Sequence, residues 1–290
     1  MSAFLTKLGL GSAQFGLDSQ APVRGRPPAE EVRDILSIAA RSGVRWLDAG
    51  AAAPHTETRL AAVLPQPAPF QLMVRAARCD RGADYVEAEA RASLARYGVQ
   101  RAEAIVVQTA SELFAPQGHE AWDRLRQMRD EGLFSRIGVC CYASDDPLGM
   151  ARRFKPDFIQ APASLLDQRL LNDGTLESIK RLGVDVHLRS IFLNGLLFLP
   201  PDRVPSQLKG AAGRLSRARR MIAEGRSDPL QAARGFALSR PEADVVLVGV
   251  TTASELSAVV AAAASPPPNL DWDEMAIDDP AAHDPRYWAA

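Results

Sequence analysis

A (β/α)8 barrel of the TIM type, occupying residues 1–290 as one domain, is the fold class this sequence predicts, and three observations carry it. Eight short apolar runs recur along the chain, stretches with helical spacing separate them, and a length of 290 residues accommodates a barrel of roughly 250 residues with additions. Length alone also allows two domains of roughly 150 residues each. An open doubly wound sheet, however, would use fewer strands or leave a clear second-domain boundary.

The runs, in order, are Lys7 to Gly11, Val44 to Asp48, Phe70 to Arg75, Ala104 to Gln108, Arg136 to Cys140, Asp157 to Gln160, Asp185 to Arg189 and Val245 to Gly249. They are apolar in both side-chain phases, as strands with helices on one side and packed core on the other should be. The first connecting helix, Ala29 to Ser42, follows Pro27 and Pro28 and spaces Val32, Ile35, Leu36 and Ala39 along one face. Tyr85 to Tyr97 and Ala121 to Arg129 repeat that logic, with Gly98 and Gly132 placed as C-terminal stops. Gly43 and Gly183 each stand one residue before a strand. Two segments depart from the repeat. An excursion at 200–228 follows the seventh strand, and its basic run, Arg214 to Arg220, reads as a solvated helix face or as an anion contact. A tail at 265–290 opens on a proline run, and its Trp272, Tyr287 and Trp288 are candidates to pin it back onto the barrel.

Composition narrows the function. With 47% hydrophobic and 24% charged residues the chain is neither disordered, collagen-like nor a coiled coil. Lys plus Arg number 34 against 35 Asp plus Glu, a formal charge of -1, which supports neither a nucleic-acid coat nor a basic membrane-binding surface. The three cysteines, Cys79, Cys140 and Cys141, form no disulfide framework. The opening MSAFLTKLGLG lacks a leader pattern, and no segment approaches the roughly 20 apolar residues of a membrane helix. A cytoplasmic protein with a small-molecule partner, and neither nucleic acid nor membrane, is the expectation.

Familiar catalytic signatures are missing: no GxGxxG before an acidic residue, no GxxxxGK[ST], no HExxH and no GxSxG. His55, His119, His187 and His283 lack metal-ligand spacing, so no metal is expected. In a barrel the C-terminal strand ends form the usual active-site mouth. Here they supply Asp48, Arg75, Gln108, Cys140, Gln160, Arg189 and the turn after Gly249. Asp48 and Arg75 on adjacent strands are positioned to pair, because apolar surroundings would penalise either charge alone. Cys140 reads as a small buried residue, and Cys141, facing the other way, as the thiol nearer the mouth. The segment VVLVGVTTASELSAVV reads strand, turn, helix. Its amides suit a phosphate, and Thr252 to Glu255 equally fits a capping box.

These segments together resemble the aldo-keto reductases, especially a bacterial branch with KLGLGSAQFG near the N-terminus. RWLDAGAAAPHTETRLA, AEAIVVQTASEL, MRDEGLFSRIGVCCY, DFIQAPASLLDQR, HLRSIFLNGLL, LVGVTTASEL and IDDPAAHDPRYW extend the likeness from Lys7 through Trp288. It implies a barrel that binds extended NADP or NAD without a Rossmann domain, and a catalytic Asp, Tyr, Lys and His. Asp48 matches the Asp. Ala53 and Pro54 stand where Tyr and Gly are expected, Arg75 at the Lys and Gln108 at the His. Arg75 keeps a cation that is no proton relay, Gln108 keeps a hydrogen bond to a carbonyl, and Ala53 keeps nothing. His55, two positions on, is the candidate replacement acid.

The implied cofactor residues are Gln160 for the nicotinamide carboxamide, Arg189 in place of a stacking aromatic, Ser190, Leu193 and Gly195 in the next loop, and Gly249, Thr251 and Thr252 in the last motif. Cys140 and Cys141 replace the usual Ser-Asn partners, and Glu255 stands where a basic residue often meets the 2′-phosphate of NADP, which like charge disfavours. The resemblance therefore implies a divergent oxidoreductase that transfers hydride between a nicotinamide cofactor and a small carbonyl or sugar-like substrate. The alternative is a degenerate active site: an inactive or repurposed barrel that binds a metabolite, nucleotide or protein partner. Isomerisation or elimination through Asp48 and His55 is a remote third.

Overall fold

Eight parallel strands close on one another in chain order in the computed structural model, which describes residues 4–16, 26–50, 53–200, 203–204, 206–277 and 279–284. They are β1 (Leu8–Gly11), β2 (Trp46–Asp48), β3 (Gln71–Arg75), β4 (Ala102–Val107), β5 (Phe134–Cys140), β6 (Phe158–Pro162), β7 (Asp185–Arg189) and β8 (Val245–Gly249). β1 pairs with both β2 and β8, which completes the ring. The fold is a (β/α)8 TIM barrel, and all eight expected strands are present. Their ends move by up to two residues. β4 ends at Val107, so Gln108 lies just beyond the sheet.

Helices Ala29–Arg41, Ala83–Arg96 and Gly118–Asp130 occupy the expected places, the latter two starting a little earlier than their apolar spacing indicates. The expected face of the first is the buried one: Val32, Ile35, Leu36 and Ala39. Such faces merge with the outward side chains of the strands into the main core.

Inside the ring, Met73, Ala104, Val106, Cys140, Phe158, Val245 and Leu247 fill the barrel, with Trp46 partly buried against them. Gly138 makes room for the largest of these, since a Cβ there would lie 2.2 Å from the Phe158 ring. His187 stacks on that ring, with centroids 4.1 Å apart and planes at 14°. The barrel is a packed plug, and only its rim is left for chemistry.

The two departures from the repeat form a separate cluster. Leu208, Ala211, Leu215, Ala218 and Ile222 of the excursion pack with Met275, Ile277 and Ala282 of the tail and with Leu165, Leu166, Leu193 and Leu196 from loops at the mouth. Part of the basic run is structural rather than solvated. Arg219 donates to the carbonyls of Leu196, Leu197 and Leu199, and Arg217 pairs with Glu274 of the tail. The Trp272 ring meets Phe236 edge-on and its carbonyl accepts from Gln168 at 2.6 Å. Tyr287 and Trp288, the other proposed anchors, lie outside the described residues. Among the described residues no helix is long and apolar enough to cross a membrane.

Candidate active site at the barrel mouth

Asp48 ends β2 pointing inward and is only 3% exposed. Its Oδ1 accepts from the Gly50 amide and from Arg75 Nε, each at 3.1 Å, and its Oδ2 accepts from Arg75 Nη2 and from Gln160 Nε2, the latter at 3.0 Å. The expected Asp48–Arg75 pair is therefore present and bidentate. Burial pulls the Arg75 guanidinium toward its neutral form, and Asp48, with Cys140 beside it, more than offsets this, so Arg75 titrates above its ordinary value. Arg75 is a fixed cation and not an acid.

Gln160 lies on the inward face of β6, opposite β2 in an eight-stranded ring, so its bond to Asp48 spans the barrel axis. Its side chain is completely buried, and its Oε1 finds no donor.

The remaining expected catalytic residues stand apart from this network. Ala53 caps helix Pro54–Ala61 through its backbone alone, and His55 is exposed on that helix's first turn. Gln108 is exposed beyond β4. The two cysteines exchange their expected places. Alternation along β5 turns Cys140 to the mouth, whereas Cys141 faces the outer core, where burial pushes its thiol well above the usual range. No tyrosine hydroxyl among the described residues bonds Asp48 or Arg75.

Arg189 ends β7 and donates to the Cys141 carbonyl at 3.0 Å and to Ser190 Oγ at 3.3 Å. Its guanidinium lies over the Tyr142 ring, 4.2 Å from the centroid. Ser190 and Leu193 adopt positive φ angles of 60° and 44°, unusual for residues with a Cβ, and Gly195 adopts 83°. Leu193 is committed to the satellite core. Tyr142 and Gln14 are mouth residues that sequence reasoning missed. Gln14 lies over Gly249, where a Cβ would come 2.6 Å from its Oε1, and that oxygen is buried without a partner. Both follow a strand end by two or three residues, where alternation no longer predicts direction.

The turn after β8 forms the expected cap. Glu255 Oε2 accepts from the amides of Thr251 at 2.8 Å and Thr252 at 3.3 Å, Thr252 Oγ1 accepts from the Glu255 amide at 3.1 Å, and Glu31 Oε1 accepts from the Ala253 amide at 2.5 Å. A capping box is formed, and two carboxylates sit on the amides that a phosphate would need. A dinucleotide fits these residues poorly. Two carboxylates already occupy the helix-start amides, and the amide that would receive the nicotinamide carboxamide is turned inward to Asp48.

Barrel topology, a strand-end Asp–cation pair and the loop excursions define the class of protein. The sequence profile of the Aldo/keto reductase family matches residues 7–277, and the chain belongs to that family. The crystal structure of PA4992, a proposed aldo-keto reductase from Pseudomonas aeruginosa, superposes with a TM-score of 0.66 at 18% identity over 91% of this chain and 92% of that one. A second structure of a proposed aldo-keto reductase from the same organism gives 0.65 at 17% identity, with 91% and 92% covered. Identity this low speaks for the fold alone. No curated protein sequence matches the chain.

Proposed function

We propose that this family member is a repurposed barrel, which binds a small metabolite at its C-terminal mouth in place of dinucleotide-dependent carbonyl reduction. The single observation behind this reading is the Gln160–Asp48 bond at 3.0 Å. It commits to each other the residue aligned with carboxamide recognition and the carboxylate aligned with catalysis. Asp48 has four donors on its two oxygens and no hydroxyl to activate. Ala53 supplies no proton, and Arg75 holds its own.

Titration of the full chain with NAD, NADH, NADP and NADPH, followed by oxidation of the reduced forms against a panel of small aldehydes, ketones and sugars, tests the reading. The expected outcome is no saturable dinucleotide binding below about 1 mM, the upper end of ordinary KM values, and no turnover. The competing reading keeps hydride transfer to a small carbonyl or sugar-like substrate, with His55 or an ordered water as acid. It is favoured by the exposed position of His55 on the first turn of the helix that follows Asp48. NADH oxidation that is lost in His55→Ala would establish it.

A further inference from the structure

Arg75 and Arg189 end β3 and β7, strands that face each other across the ring, and Cys140 ends β5, midway between them. By strand alternation Arg75, Cys140 and Arg189 all turn to the inner side of the rim, since Val74, Val139 and Leu188 before them face the outer core, and both guanidiniums are coupled electrostatically to Cys140 and to each other. Asp48 neutralises Arg75. Arg189 has no carboxylate partner among the described residues: its bonds go to the Ser190 and Tyr142 hydroxyls and to a carbonyl, and its buried Nε finds no acceptor. Among the described residues, this side of the mouth, at the ends of β2, β3 and β7, thus holds two cations and one anion. A surplus charge on a half-buried guanidinium whose Nε is buried without an acceptor favours an anion that completes it. Gln160 Oε1, on the strand beside Cys140, is also buried without a donor.

Resting on the reading that the mouth holds a small molecule, we infer that the molecule carries a carboxylate, gripped by Arg189 and faced by Arg75 over the Cys140 thiol. A planar, singly charged group with two oxygens matches one guanidinium fork and the one surplus charge. A phosphate dianion would leave the mouth net negative beside Asp48. A hydroxyl or amino group on the same ligand would supply the donor that Gln160 Oε1 lacks.

Two measurements on the full chain test this. In the first, Cys140 is alkylated with anionic iodoacetate and with neutral iodoacetamide, and the rates are read by peptide mass spectrometry. The iodoacetate-to-iodoacetamide ratio is expected to exceed that of a free peptide thiol by roughly tenfold, the low end of electrostatic focusing in a charged cleft. It should fall to the free-thiol value in Arg189→Met and be partly kept in Arg189→Lys, with both variants verified as folded by circular dichroism. In the second, acetate, lactate and benzoate are titrated calorimetrically against their amides and inorganic phosphate. Binding of carboxylates alone, lost in Arg189→Met, supports the inference. Equal binding of amides, tighter binding of phosphate, or an alkylation ratio indifferent to Arg189 overturns it and leaves the small-molecule reading standing. Carbonyl reduction with NADH or NADPH removes that reading instead.

Discussion

Gln160 reaches across the barrel axis to donate its amide to Asp48 at 3.0 Å, joining opposite strands at the mouth. With Arg75 on the neighbouring strand, this makes Asp48 the hub of a buried network instead of a free base. The network accounts for how a carboxylate is tolerated at 3% exposure: each of its oxygens takes two donors, one set carrying full charge.

Removing the cation from this network should therefore be costly. Arg75→Met leaves Asp48 buried with only the Gly50 and Gln160 amides, and truncating one partner of a buried pair typically costs about 3–5 kcal/mol. The double variant Asp48→Asn/Arg75→Met removes both charges and should recover more than half of that loss. Denaturant unfolding of the four proteins of the cycle measures it. A double variant no more stable than Arg75→Met would mean that Arg75 acts through packing and not through Asp48.

A second prediction concerns pH. His187 is wholly buried, its ring nitrogens lack partners, and burial, aided by Arg136 and Lys180, holds its titration well below the ordinary histidine value. The unfolded chain binds this proton below about pH 6.5 and the folded chain does not. Stability is thus fully present above that pH and falls as pH drops toward the folded value, by up to about 1.4 kcal/mol per unit. His187→Phe retains the stack on Phe158 and removes the proton. It should match or exceed the wild type at neutral pH and show a shallower loss on acidification. His283, depressed in the same direction by burial, is common to both proteins and cancels in the comparison. Parallel stability–pH curves for the two proteins would contradict the assignment.

Gly138→Ala tests the barrel plug. The new methyl would meet the Phe158 ring at 2.2 Å, and Phe158 is itself sandwiched against His187. Overpacking of this kind typically costs about 1–3 kcal/mol, and adding Phe158→Leu should restore part of it. A melting temperature unchanged by Gly138→Ala would show that the interior is looser than its geometry implies.

The barrel was legible because it depends on repetition. Eight apolar runs, each covered on both faces, leave little choice of topology, and an error of two residues at a strand end changes nothing. The site was legible only where strand alternation fixes direction. Asp48 and Arg75 lie inside the ladder and meet as expected. Gln108 falls one residue beyond β4 and is exposed. Cys140 and Cys141 differ by one position, and assigning the mouth to the wrong one follows from a one-residue error in phase. The Gln160–Asp48 contact crosses the ring between residues 112 apart in sequence, and no local pattern encodes it. Glu31 is similarly hidden. It reads as an ordinary first-turn acid of its own helix, yet it caps a helix 222 positions away.

That last contact gives the sharpest test of the proposed exclusion of a dinucleotide. Glu31 and Glu255 place two carboxylates on the amides of Thr251, Thr252 and Ala253. Each is stabilised by the partial positive charge of the helix start, and together they occupy what an incoming phosphate would need. Glu31→Gln/Glu255→Gln removes both charges but keeps side chains able to accept from the same amides, so the fold should lose only about 1–2 kcal/mol of capping. Removing the repulsion should raise affinity for NADP relative to NAD, because only NADP carries the 2′-phosphate. Calorimetry with both dinucleotides on wild type and double variant measures the change. If charge is what closes this end of the mouth, NADP binding should appear or tighten by at least roughly tenfold, a change of about 1.4 kcal/mol, and should weaken again as salt is added. If neither dinucleotide binds the double variant, exclusion lies at the other end, where Gln160 is held by Asp48. Gln160→Ala, which frees that face of Asp48, then becomes the variant in which binding is expected to return.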